Sequence, residues 1–352
     1  MGNFWRGIGG VAHALALTLA LVTILLAGCG GAQAARSATS APVSPSLILP
    51  PILQGQHVFV TDLVTGNLAE LGATTTHVSR SVHGLGLSPD GRWLYVSDVA
   101  DNRLIAYALK DGALGESHAV PVGAQPVHMV ETLDGRRVFV TNFAGKSVSV
   151  VDTAGWTLEK TIATPDAPHS IALSPDGRWA YAGCYGAASI VVIDTASATL
   201  AGTIALPVGA QPYGLALSND GRTLYASDNS TGRLFVVDVA SAPSGKVTGS
   251  VEVGLRPALI ARSPDAATLY ISSGASHSVT VVSLTPDPAH PAVRATIPVS
   301  GYPHGLAVTP DGKYVVVANT TGKTLSVIET SANSVVATIQ GEQYPNDALI
   351  LP

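Results

Sequence analysis

A short corner that returns at near-constant spacing decides most of what this chain can become. It is written Ser88-Pro89-Asp90-Gly91, Leu133-Asp134-Gly135, Ser174-Pro175-Asp176-Gly177, Ser218-Asn219-Asp220-Gly221, Ser263-Pro264-Asp265-Ala266 and Thr309-Pro310-Asp311-Gly312, and its aspartates recur every 42 to 46 residues. Proline presets φ at the second turn position and glycine accepts a positive φ near its end, so such a corner reverses the chain almost unaided. From Pro303 to Thr330 it joins an apolar run to a Val/Tyr-rich run ending at Asn319, and a Gly-containing turn leads to a third alternating run. Period-two alternation of β-branched and aromatic residues makes these antiparallel strands. One such sheet cannot bury its own apolar faces. Copies at this period are the blades of a propeller.

The second-strand motif appears seven times, as FVTD (Phe59 to Asp62), YVSD (Tyr95 to Asp98), FVTN (Phe139 to Asn142), YAGC (Tyr181 to Cys184), YASD (Tyr225 to Asp228), YISS (Tyr270 to Ser273) and VVAN (Val316 to Asn319). Six corners leave one blade short of an inner strand. Tyr344 to Pro352 matches the layout of Tyr302 to Pro310 and supplies it. The expected fold is all-β: a seven-bladed β-propeller of four-stranded antiparallel blades over 56–352, closed by pairing the C-terminal strand with the N-terminal blade. Closure of this kind removes two sheet edges that would otherwise invite association, so a monomer is expected.

Only 12% of residues are charged and the net charge is −5. That leaves no basic field of the kind nucleic acid requires. The two cysteines, Cys29 and Cys184, make no disulfide framework. Residues 1–28 carry one early positive charge, Arg6, and then an apolar run, the layout of a secretory signal. Leu26-Ala27-Gly28-Cys29 resembles a bacterial lipobox, which implies cleavage before Cys29 and its acylation; an uncleaved membrane-spanning helix is the alternative. Either way the expected location is extracytoplasmic and membrane-anchored, on the periplasmic side or the cell surface. Residues 29–55, rich in Ala, Ser and Pro, read as a flexible linker.

FVTN at Phe139, YVSD at Tyr95, the SPDG corners and third strands such as SVSVVDT and SIVVIDT resemble the YVTN-repeat β-propellers, the YncE-like extracytoplasmic proteins. The resemblance covers residues 56–352 and implies a scaffold more than an activity. Some propellers of this kind open lactones or act as lyases with a divalent ion, and some related ones hold haem through histidine.

Strand order sends the starts of the inner strands and the ends of the second strands to one face, where a binding mouth is expected. Counting seven residues back from each corner aspartate gives His83, Val127, His169, Tyr213, Ala258 and His304, with Asn346 in the closing blade. His128 is one step out of this register, and period two sends it to the opposite face of its strand. The second strands end at Asp62, Asp98, Asn142, Cys184, Asp228, Ser273 and Asn319, and Arg256 lies just before an inner-strand proline. The ligand-binding candidates are therefore His83, His169, Tyr213, Arg256, His304, Asn346, Asp98, Asn142, Cys184, Asp228 and Asn319. His83, His169, His304, Asp62 and Asp98 are the candidate metal ligands, since imidazole and carboxylate suit a divalent ion and imidazole suits haem iron. A plainer alternative is that these groups only hydrogen-bond strand ends and neighbouring blades. No GxSxG, HExxH, P-loop or CxxC motif is present, and no catalytic residue stands out. The leading expectation is a tethered scaffold binding a small molecule, a metal or an envelope protein at this mouth. The alternative is a propeller enzyme, lactonase-like or lyase-like, or a haem-binding propeller.

Overall fold

The computed structural model describes residues 48–351. The signal-like stretch, Cys29 and the linker up to residue 47 lie outside the described residues. Seven four-stranded antiparallel sheets follow one another, six of them built from consecutive strands. The remaining sheet takes Pro345–Ile350 as its innermost strand beside Val58–Asp62, with Val58 opposite Ile350 and Val60 opposite Ala348. We number this sheet blade 1 and the rest in chain order.

The far end of the expected linker is not free. Leu53, in a short 3-10 turn at Pro51–Leu53, is fully buried with Val58, Val60 and Ala348, and Leu49 packs on the same cluster. These two apolar side chains dock the chain before the first strand begins.

The hydrophobic core lies between blades. The aromatic residue that opens the second-strand motif points into it, and Phe59, Tyr95, Phe139, Tyr181 and Tyr225 are all essentially inaccessible. Phe139 of blade 3, for example, packs with Ile171, Ala180 and Val191 of blade 4. Each buried ring of this kind contributes roughly 1.5–3 kcal/mol, and seven interfaces share that work.

Every corner is held the same way. A Ser or Thr hydroxyl donates to the aspartate two residues on, at 2.5–2.7 Å, from Ser88, Thr132, Ser174, Ser218, Ser263 and Thr309. The corner lacking proline keeps this geometry through Thr132, and Ala266 takes the positive φ of 58° that glycine holds elsewhere.

Two devices on the inner strands shape the central channel. First, each carries a β-bulge near its start: Pro168 pairs with Cys184 but Ile171 pairs with Ala182, three steps against two. The same slip occurs after Val82, Pro126, Pro212, Pro257 and Pro303. Second, the hydroxyl at the third place of the second-strand motif staples neighbouring blades. Thr61, Ser97, Thr141, Ser227 and Ser272 donate to the carbonyls of His83, Val127, His169, Ala258 and His304 in the next blade, at 2.5–2.8 Å. The same oxygens accept backbone N–H groups from Asp347, Gly84, His128, Gly214 and Leu259 at the bulges of their own blades. Blades 4 and 7 have Gly183 and Ala318 at that place and no hydroxyl.

Candidate functional site

The bulges bring four imidazoles together on the channel. Ring centroids lie 5.2 Å apart for His83 and His128, 5.7 Å for His83 and His169, 5.5 Å for His83 and His304, and 5.1 Å for His128 and His169. His128 is thus a member of the cluster, against the expectation that alternation would turn it away. Val127 and His128 are the two residues of a bulge, where strict alternation lapses. A glycine across the interface makes the room: a Cβ on Gly84 would collide with the Val127 carbonyl oxygen and stand 2.9 Å from His128 Nδ1.

The four rings are held differently. His169 Nδ1 lies 3.1 Å from the carbonyl oxygen of Tyr213, and His304 Nδ1 lies 3.0 Å from that of Asn346. A carbonyl only accepts, so both rings carry their proton on Nδ1 and leave Nε2 as an acceptor. For His304 that acceptor is used, because the Tyr213 hydroxyl donates to its Nε2 at 2.9 Å. His83 Nδ1 and His128 Nε2, by contrast, are buried with no hydrogen-bond partner among the described residues. Burial makes all four rings neutral. It pushes His304 down to about 4 and the other three well below the usual imidazole value, the neighbouring rings adding to the effect.

Aromatic side chains wall the cluster. Tyr213 lies against His169 with centroids 3.7 Å apart, Phe143 approaches His169 at 6.1 Å, and Tyr185 stands 5.9 Å from Tyr213. Burial raises the Tyr213 hydroxyl far above its ordinary range, so it stays a donor, and pushes Tyr185 up to about 12 against the pull of the nearby Arg256 guanidinium. Arg256 itself is partly exposed, and its backbone φ of 52° is left-handed. Asp347, beside Asn346, is buried. It accepts the N–H groups of Leu85 and Ala348 and is pushed up to about 6 by desolvation.

The ends of the second strands serve the turns. Asp62 accepts from the N–H groups of Val64, Thr65 and Tyr344. Asp98 accepts from Ser79, the Asp101 N–H and the Arg103 guanidinium, and Asp228 from the Gln211 N–H, Ser230 and Thr231. Asn142 and Asn319 donate to hydroxyls five and seven residues on. Cys184 is fully buried in the core between blades 3 and 4, and burial pushes its thiol up to about 12. The candidates thus separate into a gathered set, His83, His169, Tyr213, His304 and Asn346, a set spent on turns and core, Asp98, Asn142, Cys184, Asp228 and Asn319, and Arg256, partly exposed near Tyr185. Asn346 joins the first through its carbonyl and through an amide donated to the His83 carbonyl at 3.3 Å.

The expected metal set of His83, His169, His304, Asp62 and Asp98 is not gathered. Among the described residues no three His, Cys, Asp or Glu side chains are arranged to hold an ion. Two imidazoles turn a nitrogen to backbone carbonyls, and both carboxylates are occupied by turns.

With fold and site in view, comparison with known proteins assigns the family. The model of the lactonase family of seven-bladed β-propellers matches residues 70–254 and 228–345. The chain belongs to that family. The YVTN-like repeats read from the sequence carry the architecture, and the lactonase family is the one this match supports. The 6-phosphogluconolactonase of Cronobacter sakazakii is 39% identical over 72 residues, 20% of this chain and 22% of the relative. The chain therefore matches about a fifth of that relative's length. Among solved structures, the periplasmic gluconolactonase of Pseudomonas aeruginosa is similar with a TM-score of 0.72 at 20% identity, covering 84% of this chain and 99% of that one. Hydrazine synthase of Kuenenia stuttgartiensis is similar with a TM-score of 0.66 at 23% identity, covering 77% and 91%. At such identities these likenesses speak for the fold alone.

Proposed function

We propose that this protein hydrolyses a lactone at the channel cluster, with His169 as general base and Tyr213 as hydrogen-bond donor. Family membership favours this enzyme reading over the binding scaffold expected from sequence. The observation that carries it is the state of His169: a neutral imidazole whose proton is fixed on Nδ1 by the Tyr213 carbonyl, leaving the Nε2 lone pair to accept a proton. Ring opening needs little more. Nε2 takes a proton from water as its oxygen bonds to the lactone carbonyl carbon. The Tyr213 hydroxyl turns from His304 to the developing oxyanion. Collapse breaks the ring C–O bond, and the leaving alkoxide takes the proton back from His169, so the products are the open hydroxy acid and the unchanged enzyme. Phe143 and Tyr185 are partly exposed beside the cluster, where a sugar-sized ring would meet them, and the Arg256 guanidinium near Tyr185 favours an anionic substituent or product.

We further propose that it works as a monomer outside the cytoplasm, anchored by lipid at Cys29. Palmitate labelling that is lost in Cys29→Ser supports the anchor, and unchanged labelling removes it. The activity is tested by following acid release from gluconolactone and 6-phosphogluconolactone in a pH-stat. Opening of either at well above the buffer rate, lost in His169→Ala without a change in thermal unfolding, is expected. No acceleration on a broad lactone panel would return the site to the scaffold reading.

A further inference from the structure

The blade staples and the histidines obey one rule. Three histidines occupy the same place in their blades, His83, His169 and His304. In blade 2 the motif keeps its hydroxyl, Ser97 takes the next blade's carbonyl at Val127, and His83 Nδ1 has no partner among the described residues. In blades 4 and 7 the hydroxyl is absent, at Gly183 and Ala318, and the next blade's carbonyl is taken instead by His169 or His304.

We infer that Gly183 and Ala318 are positioning residues: by lacking a hydroxyl they hand two interblade carbonyls to His169 and His304, and so fix which ring nitrogen of each is basic. Across the interface the exchange is one donor for one donor, while the in-blade N–H that the hydroxyl accepts elsewhere, as from Gly84 to Ser97, has no hydroxyl to meet in blades 4 and 7. What changes is the imidazole. A neutral ring with no partner can carry its proton on either nitrogen, whereas one bonded to a carbonyl through Nδ1 holds a single tautomer and orientation. The same step aims His304 Nε2 at the Tyr213 hydroxyl. Two small residues that touch no ligand thereby decide where the channel presents acceptors and donors. The consequence for rate rests on the lactone reading; the tautomer assignment does not.

The test is Ala318→Ser, which adds one oxygen to an existing Cβ. Gly183→Ser is the second variant, although its Cβ would sit 3.3 Å from Pro212 Cβ and strain the interface. Long-range 1H–15N correlation spectra of the full chain, labelled at histidine, read the tautomers directly. In the natural protein His169 and His304 should both show the Nδ1–H pattern. In Ala318→Ser, His304 should lose it, as the introduced hydroxyl takes the Asn346 carbonyl, while His169 keeps it. An Nε2–H pattern at either ring of the natural protein, or a His304 unmoved by Ala318→Ser, overturns the inference. With the His169 tautomer shifted in Gly183→Ser, lactone opening should drop at least 10-fold in kcat with little change in KM, whereas Ala318→Ser, which leaves His169 in place, reads the tautomer rule by itself. A shifted tautomer with undiminished turnover would leave the positioning role standing and count against the lactone reading alone.

Discussion

Two sectors of the channel carry the same residue type and treat it in opposite ways. At the junctions of blades 4 with 5 and 7 with 1, histidine is part of the scaffold, bonded through Nδ1 to a carbonyl of the next blade. At the junction of blades 2 with 3, Ser97 already fills that role and His83 keeps an orphan Nδ1; at the junction of blades 3 with 4, Thr141 fills it, Val127 stands at the equivalent place, and His128, one residue on, keeps an orphan Nε2. A histidine in a repeat protein is thus defined by a neighbour it need not touch, the third residue of the adjacent strand's motif. The anchored pair has fixed chemistry. The orphan pair has fixed positions only.

Removing one ring from each sector should separate the two most strongly. His169→Ala should lower kcat/KM for lactone opening about 10²- to 10⁴-fold, the usual worth of a general base. His83→Ala should cost less than about 10-fold by the same reasoning, and steady-state kinetics on both variants, with equal losses, would erase the distinction between sectors. The pH profile adds a second reading. His169 sits well below its ordinary value, so the rate should be flat across pH 6.5–8 and its acid limb should lie below 6.5.

Stability responds next in size. His304 is lowered from 6.5 to about 4, so between those values the unfolded chain binds the extra proton. The contribution is fully present above pH 6.5 and is lost as pH falls toward 4, about 3 kcal/mol for this ring alone. Asp347 acts with the opposite sign. Raised from 3.8 to about 6, its contribution is present below 3.8 and lost as pH rises through 6. Chemical denaturation at pH 7.5 and 5 should therefore show a net loss on the acid side, since four neutral histidines face one such aspartate, and His304→Gln should shrink it.

Smaller still is the packing that admits the bulges. A Cβ on Gly305 would collide with Asp347 Cα, and Gly305→Ala should lower stability by roughly 1–3 kcal/mol, measured by urea unfolding. At the bottom of the scale, Ser97→Ala removes a staple and should let His83 Nδ1 take the Val127 carbonyl, turning an orphan ring into an anchored one. The net change in stability should stay within about 1 kcal/mol, and His83 should acquire the Nδ1–H pattern in the histidine spectra.

The parts of this molecule visible in its sequence are those set by local periodicity. The corner at Asp90 and its repeats, the aromatic that opens each second strand, and the likeness of Tyr344 to Pro352 with Tyr302 to Pro310 each express a turn or an alternation, and together they determine blade count and closure. Counting from the corners places His83, His169, Tyr213 and His304 on the channel. It misplaces His128, because a bulge spends two residues where period two allows one, and nothing in Val127-His128 announces it. The roles of Asp62, Asp98 and Asp228 are equally hidden: a carboxylate at a strand end reads the same whether it faces a ligand or the N–H groups of its own turn. Cys184, a soft ligand by residue type, lies instead in the apolar layer between blades. The staples are written in the motif, in the third letter of FVTD and YVSD, but their partners are some thirty residues away in the next blade and only packing reveals them.

Whether a scaffold-anchored imidazole does the chemistry is decided by kcat/KM for gluconolactone opening by the natural protein and by His169→Gln, from pH 5 to 8. Clear turnover by the natural protein, nearly level above pH 6.5, is expected, with a fall of about 100-fold or more across the whole range in the variant and thermal unfolding unchanged. Equal rates in the two proteins would contradict that expectation.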